Sequence, residues 1–295
     1  MKKFYYGGQA VVEGVMMRGR KTMVTAVRRS DGSVAVDAQP LPSFYSGWLR
    51  QAPLIRGFIV MVEALTLGMK ALLYSTNVSL EEEGEKVSGG LAWVMVALSL
   101  TLGVGLFFLA PLFLTRLFHF QSSVVFNLVD GIIRVAIFIA YLKVMSLLSD
   151  IRRVFAYHGA EHKTVNAYEA GVPLEIEAIK RYSTAHKRCG TSFLFIVMLV
   201  AIIVFSMVGK PSLLVMVLSR IVLLPVIAAL SYEFIYFGAR HSDNGVMRII
   251  LAPGLWLQSL TTREPDDSQI EVALVAMKGV LEAEQPEQAQ AVAGV

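Results

Sequence analysis

Four stretches of this chain are each long and apolar enough to cross the hydrocarbon core of a bilayer, which is ~30 Å thick and takes about 17 to 25 helical residues. They run from Leu91 to Leu114, Ser123 to Leu148, Ser192 to Val208 and Leu213 to Phe237. The chain is therefore expected to be a mainly α-helical membrane protein with about four transmembrane helices. Composition agrees, with 55% hydrophobic residues, 17% charged and a mean hydropathy of +0.58. The first stretch has no charged residue, whereas the second holds Asp130, Arg134 and Lys143 and the fourth holds Arg220 and Glu233. Charges inside a bilayer face protein or a polar cavity, and Asp130 with Arg134, four apart, reads as a neutralised pair buried against a neighbouring helix.

A fifth run, Pro53 to Tyr74, carries Arg56, Glu63 and Lys70 seven apart, one stripe on an otherwise apolar helix. If it stays on the cytoplasmic side, the segments 1–90, 149–191 and 238–295 hold 22 Lys and Arg, against two, Arg116 and Lys210, in the opposite loops. If it crossed, the eight Lys and Arg of residues 1–52 would be exported, against the retention of positive charge in the cytoplasm. The run is accordingly expected to be an interfacial or re-entrant amphipathic helix, and both termini to be cytoplasmic. The expected location is a bacterial inner membrane, crossed several times. No apolar segment follows the N-terminal lysines, so no cleaved secretory signal is expected. The pI of about 9.1 is explained by these topogenic charges, which form no stripe with stacking aromatics, so no nucleic-acid partner is expected. The expected partner is the lipid bilayer; a second copy or another membrane protein is left open.

The flanks read as small cytoplasmic elements. Residues 22–38 form two β-rich runs meeting at Asp31-Gly32, a pair that supplies the positive φ of a tight turn, and with residues 7–19 they predict a sheet of three or more strands. Near the C-terminus, Ser268 three residues before Glu271 reads as a capping box, with Ile270, Ala273, Leu274, Met277 and Leu281 at helical spacing behind it. The stretch 248–267 is apolar and reads as broken at Pro253-Gly254, lying along the membrane surface. The expected organisation is a cytoplasmic β-rich element over 1–50, an interfacial helix and acidic linker over 51–90, two spans over 91–148 and a cytoplasmic helix and loop over 149–191. Two further spans follow over 192–237, then a cytoplasmic or interfacial segment and helix over 238–283 and a flexible tail over 284–295.

The chemistry concentrates in one sequence, AYHGAEHKTVNAYEAG, residues 156–171. Only Gly159 interrupts residues 150–170, which are expected to prolong the second span into the cytoplasm as one helix. On a helix His158 and His162 stand one turn apart on one face and can reach the same ion, with Glu161 beside them. The order H-x-x-E-H is that of inverzincins, in which the Glu acts on a water polarised by the metal. Two ligands are too few, and Glu169 lies about 10.5 Å of rise beyond His162. The segment TAHKRCGTSF offers His186 and Cys189 just before the third span. A thiolate would favour zinc, and an all-imidazole or carboxylate set would admit iron or manganese. Cys189 is the single cysteine, so no intramolecular disulfide forms. Glu233 and His241, at the end of the fourth span, read as solvated end residues or as groups supporting the site.

GGQAVVEGVMMRG, YHGAEHKTVNAYEAG, HKRCGTSF and APGLWLQSLTTREPDD, in that order, resemble the YqhQ-like bacterial membrane proteins, a domain of unknown function catalogued as predicted metal-dependent enzymes. The resemblance covers residues 7 to about 275. It implies a bacterial inner-membrane location and a metal-centred activity, with His158, Glu161, His162, His186 and Cys189 as its polar set and Glu13 and Arg18 as further candidates. The expected function is metal-dependent hydrolysis of a peptide or lipid-derived substrate at the cytoplasmic face. Its divalent ion, zinc before iron or manganese, would be held by His158, His162, His186 and Cys189, with Glu161 as catalytic base. The competing reading is a non-enzymatic transporter or assembly factor, in which the metal staples helices.

Overall fold

A computed structural model of the chain describes residues 4–42, 45, 52–81, 87–241 and 244–293. It is mainly helical, with one N-terminal antiparallel sheet in which β1 (Gly7–Val11), β2 (Gly14–Arg18), β3 (Thr22–Arg28) and β4 (Val34–Pro40) pair in chain order. The hairpin expected at Asp31-Gly32 joins β3 to β4, with Gly32 at φ +85°. Side chains alternate across the sheet. Val15, Met17, Val24 and Ala26 pack on α5 (Ser149–Glu169), the short α6 (Ile176–Ile179) and α11 (Asp267–Ala293), through Tyr157, Ala160, Ile179, Ala273 and Met277. Met16 and Met23 pack the opposite way, on Ile59, Leu67 and Ala71 of α1 (Ile55–Ser79). Each buried Val, Ile, Leu or Met among them contributes roughly 1.5–3 kcal/mol, and the sheet has a core on each of its two faces.

α1 gives two of its stripe charges partners inside the protein. Arg56 and Glu63, two of its three stripe charges, turn into the protein: Arg56 pairs with Glu233, and Glu63 accepts from Arg18 Nε at 2.8 Å. Phe58, Leu65 and Leu72 are left exposed on the outside. The helix thus buries two charges beside Ile59, Leu67 and Ala71 while it leaves large apolar side chains outward, which is not the pattern of a surface helix of a water-soluble protein. At 25 residues it is also long and apolar enough to cross a membrane.

Three other helices pass the same test of length and composition: Gly89–Arg116, Ser123–Met145 (α4) and Gly190–Val208 (α7). The first comprises α2 (Gly89–Val104), a π-helical turn (Gly105–Leu109) and α3 (Ala110–Arg116). The fourth expected span is instead two helices, α8 (Leu213–Val222) and α9 (Leu224–Arg240), bent by 49°. Pro225, in the first turn of α9, has no N–H to carry the helical ladder across the break. The pair counts as a fifth span only if taken together.

Four further expectations are corrected. α4 and α5 are not one helix, because Leu148 adopts an extended backbone between them. Pro253 does not break the segment after α9. α10 (Gly245–Thr261) runs through it and lies against α7, with Gly254 so close that a Cβ there would sit 3.1 Å from Ser192. α11 starts at Asp267 and its capping box is Asp266–Gln269, two residues earlier than expected: Asp266 Oδ1 accepts from Gln269 N (2.9 Å), and Gln269 Oε1 accepts from Asp266 N (3.0 Å). Glu271 pairs with Arg28 instead. The helix continues to Ala293, and Glu284, where the tail was expected to begin, is buried and accepts from Tyr6 Oη (2.7 Å). The acidic linker at 82–86 lies outside the described residues.

The expected intramembrane pair forms and gains a member. Arg134 Nη2 donates to Asp130 Oδ2 at 2.5 Å, and Arg220 of α8 approaches the same oxygen at 3.7 Å. Arg134 Nε also donates to the carbonyl of Phe107 at 2.9 Å. That carbonyl belongs to the π-helical turn, whose widened ladder leaves backbone oxygens for outside donors.

Candidate metal centre

Three elements converge on one point: α5 brings His158 and His162, the start of α7 brings Cys189, and the end of α10 brings a backbone oxygen. The two imidazoles stand one helical turn apart, their centroids separated by 4.3 Å. His158 Nδ1 bonds to the carbonyl of Thr261 at 2.9 Å and His162 Nδ1 to the carbonyl of Thr184 at 2.6 Å. A carbonyl only accepts, so each Nδ1 carries a proton and Nε2 is the ring nitrogen left to face a metal. Cys189 Sγ lies 3.3 Å from His158 Nε2. One ligand atom from each of His158, His162 and Cys189 fits within 4.8 Å of the others. The sulfur caps α7, accepting from Thr191 N at 3.4 Å, which fixes it at the end of that helix.

The donor set suits a divalent ion. Two imidazoles held at Nδ1 by backbone oxygens, with a buried thiol, match the three-ligand pattern of zinc sites that keep one position open. Glu161 is buried beside them, its Oε2 3.5 Å from His162 Nε2. Both line a cavity of about 370 Å³, together with residues of β1 and α1.

His186 lines the same cavity with its ring 5.5 Å from His162, but its Nε2 points elsewhere: 3.8 Å from Glu169 Oε2 and 3.4 Å from Arg188 Nη2. Burial works against the charge on Glu169, yet His186 and Arg188 outweigh it and hold the carboxyl below its ordinary range. Arg188 stacks over Tyr5 at 4.2 Å and pairs with Glu169. Of the weaker candidates, Arg18 lines the cavity, where burial works against its charge and Glu63 pairs with it. Glu13 lies elsewhere and ties the β1–β2 turn to Arg153 and Tyr157 of α5. Glu233 holds Arg56 and the backbone N–H of Leu54, and His241 packs on Phe237.

Several supporting residues were not singled out in the sequence. Gln258 is fully buried and brackets the backbone of His186: its Oε1 accepts from His186 N (2.9 Å), and its Nε2 donates to His186 O (2.9 Å) and Ser192 Oγ (2.8 Å). Gly159 admits the 261–263 segment, since a Cβ there would lie 2.0 Å from the Arg263 carbonyl. Arg263 N donates to Phe155 O at 2.9 Å, completing the clamp that aims Thr261 at His158. A lone glycine next to a histidine inside a helix was the available signal; for Gln258 nothing local distinguishes it from any polar residue.

A family model described as "Protein of unknown function (DUF1385)" matches residues 52–283. The chain belongs to the DUF1385 family. The match covers α1 through most of α11, and with them His158, His162 and Cys189 of the candidate centre. This DUF1385 chain is also 35% identical over 297 aligned residues to "Uncharacterized protein YqhQ" of Bacillus subtilis (strain 168), across 95% of this chain and 93% of that protein. That alignment is long enough to take in the N-terminal sheet beyond the DUF1385 match. No solved structure matches.

Proposed function

We propose that this DUF1385 protein is a multi-pass bacterial inner-membrane protein, with both termini cytoplasmic, that hydrolyses a peptide or lipid-derived substrate at the cytoplasmic face with a zinc ion held by His158, His162 and Cys189. The observation that carries the reading is the convergence of two tautomer-fixed imidazoles and a thiol on the wall of a cavity that also receives a buried carboxylate. A purely structural zinc site is closed by four protein ligands, whereas three ligands beside a cavity suit catalysis. When bound, the ion would supply Lewis acidity, polarising the scissile carbonyl and bringing the pKa of water toward ~7. Glu161 takes the proton of the attacking water as its oxygen adds to the carbonyl carbon, then delivers that proton to the leaving amine or alkoxide as the old bond breaks. His186, held by Gln258 through its backbone and by Glu169 at its ring, completes the polar wall. The excess of Lys and Arg on one side of the apolar helices supports the orientation.

Elemental analysis of the detergent-purified full-length protein tests the site, with stoichiometric zinc as the expected result and loss of most of it in His158→Ala. Glu161→Gln separates catalysis from stapling. Its expected outcome is wild-type zinc content with hydrolysis of peptide and acyl-amide substrates reduced by about a hundredfold or more. Full metal content in His158→Ala removes the site, and undiminished function in Glu161→Gln leaves the metal a structural role.

A further inference from the structure

We infer that the cavity at the metal centre takes an extended polypeptide segment, which adds to the sheet as a fifth strand along the free edge of β1 and thereby lays a backbone carbonyl beside His158, His162 and Cys189. The inference deepens the hydrolase reading by choosing peptide over lipid, and its chemical consequence rests on that reading.

β1 is the edge of the sheet, and no described residue pairs with its outer side. The hydrogen-bond phase follows from the register. Val11 and Gly14 flank a two-residue turn and so form a bonded pair; bonding then alternates to Gln9–Met16 and Gly7–Arg18. The β2–β3 turn gives the same phase, since the bond from Gly19 N to Thr22 O makes Met17–Val24 and Val15–Ala26 the bonded pairs on that side. The N–H and C=O of Gly8 and Ala10 therefore point away from the sheet. Gly8 and Gln9 are exposed although their strand borders a largely buried sheet.

Natural edges are guarded by lysine, proline, bulges or a covering element, because an open ladder recruits another chain. β1, GGQAV, has neither lysine nor proline and pairs without a bulge. What lies along it is the cavity. Its walls come from both faces of the sheet: Ala64 and Leu67 from the α1 side, Glu161 and His162 from the α5 side. A cavity with walls from both faces must wrap around the edge. A strand placed there would send alternate side chains to opposite walls, one set onto the apolar surface of α1 and the other toward the metal ligands. Glycine suits such an edge. A Cβ at Gly8 would lie 3.0 Å from Glu161 Cγ, so the backbone passes directly against the catalytic carboxylate, and nothing lies within 4 Å of a Cβ at Gly7. Strand addition uses main-chain bonds for affinity and wall contacts for selectivity, which fits an extended peptide with apolar side chains at every second position. An acyl chain would leave the outward groups of Gly8 and Ala10 unused.

The test measures binding, by fluorescence anisotropy, of a labelled octapeptide of alternating leucine and serine to the full-length detergent-purified protein, both metal-loaded and chelator-treated. Two N-methylated versions block alternate amides. The expected result is that one version loses about tenfold or more in affinity and the other changes little, because only every second amide meets β1. Ala10→Pro, which deletes one outward N–H, should weaken binding similarly, while Ala10→Val should not. Equal effects of the two methylation patterns on the wild-type protein, or absence of peptide binding while a long-chain acyl amide binds, would overturn the inference. Alternation in the chelator-treated protein shows that strand addition stands without the ion, and absence of zinc from the untreated protein by elemental analysis would refute the metal reading alone.

Discussion

At the scale of single residues, the site depends on side chains whose partners are backbone atoms. Thr184 and Thr261 contribute only carbonyls, yet those carbonyls choose the tautomers of His162 and His158. Gln258 does the corresponding work for His186 through three hydrogen bonds in a fully buried setting. Gln258→Leu keeps approximate volume but strands His186 N, His186 O and Ser192 Oγ, so a loss of roughly 1–3 kcal/mol is expected, read by the shift of the denaturation midpoint. Zinc per protein should fall less than in His158→Ala, since Gln258 touches no ligand. The pair His158 and His162 was visible in the sequence because a spacing of four is local geometry. The choice between Cys189 and His186 was not, because it depends on a chain reversal that turns His186 toward Glu169 and Arg188.

At the scale of elements, caps and close approaches decide where helices begin and how they meet. Asp266 caps α11, which covers one face of the sheet. Burial works against its charge, but the Ser268 hydroxyl and the N–H groups of Gln269 and Ser268 outweigh it and hold the carboxyl below its ordinary value of 3.8. A depressed native value means that the cap's stabilisation is present above the unfolded value and is lost as pH falls through the native one. Asp266→Ala should cost about 1 kcal/mol at neutral pH, and this difference from wild type should vanish in strongly acidic denaturation series. Gly159→Ala is a sharper test of packing: with a Cβ 2.0 Å from the Arg263 carbonyl, α5 and the 261–263 segment must separate. A loss of about 1–3 kcal/mol and weakened zinc retention on dialysis are expected, although Ala is the better helix former. The capping box was misplaced by two residues because the S-x-x-E pattern recurs by chance, whereas the real cap is selected by where the chain leaves α10.

At the scale of the whole molecule, a mixed helix-and-sheet body carries the site, and long apolar helices extend from it. α2 is exposed along most of its length, with Leu91, Trp93, Val94, Met95, Leu98 and Leu102 all outward, which in water would be an aggregation surface and in lipid is a solvated one. α1 joins the two regions, with Phe58, Leu65 and Leu72 outward and with Glu63 and Arg56 paired to Arg18 and Glu233. Reporter fusions after Pro40 and at the C-terminus should both read as cytoplasmic, and one in the 117–122 loop as external; an external Pro40 fusion would mean that α1 crosses. Asp130→Asn leaves Arg134 and Arg220 buried without a neutralising charge, and a loss of about 3–5 kcal/mol is expected, seen as reduced yield of folded protein in detergent.

The sequence by itself determined what periodicity and composition encode: apolar helices long enough for a bilayer, an N-terminal β-meander turning at Asp31-Gly32, and two imidazoles on one helical face. These depend on contacts within a few residues, so they survive without knowledge of the fold. Only the tertiary structure decided that Arg56 and Glu63 of α1 face inward, that the last apolar stretch bends at Pro225, that Cys189 and not His186 closes on His158, and that β1 leaves its open edge beside Glu161. Each of those is an encounter between segments far apart in the chain, where a charge or a donor is satisfied by whichever partner packing brings near.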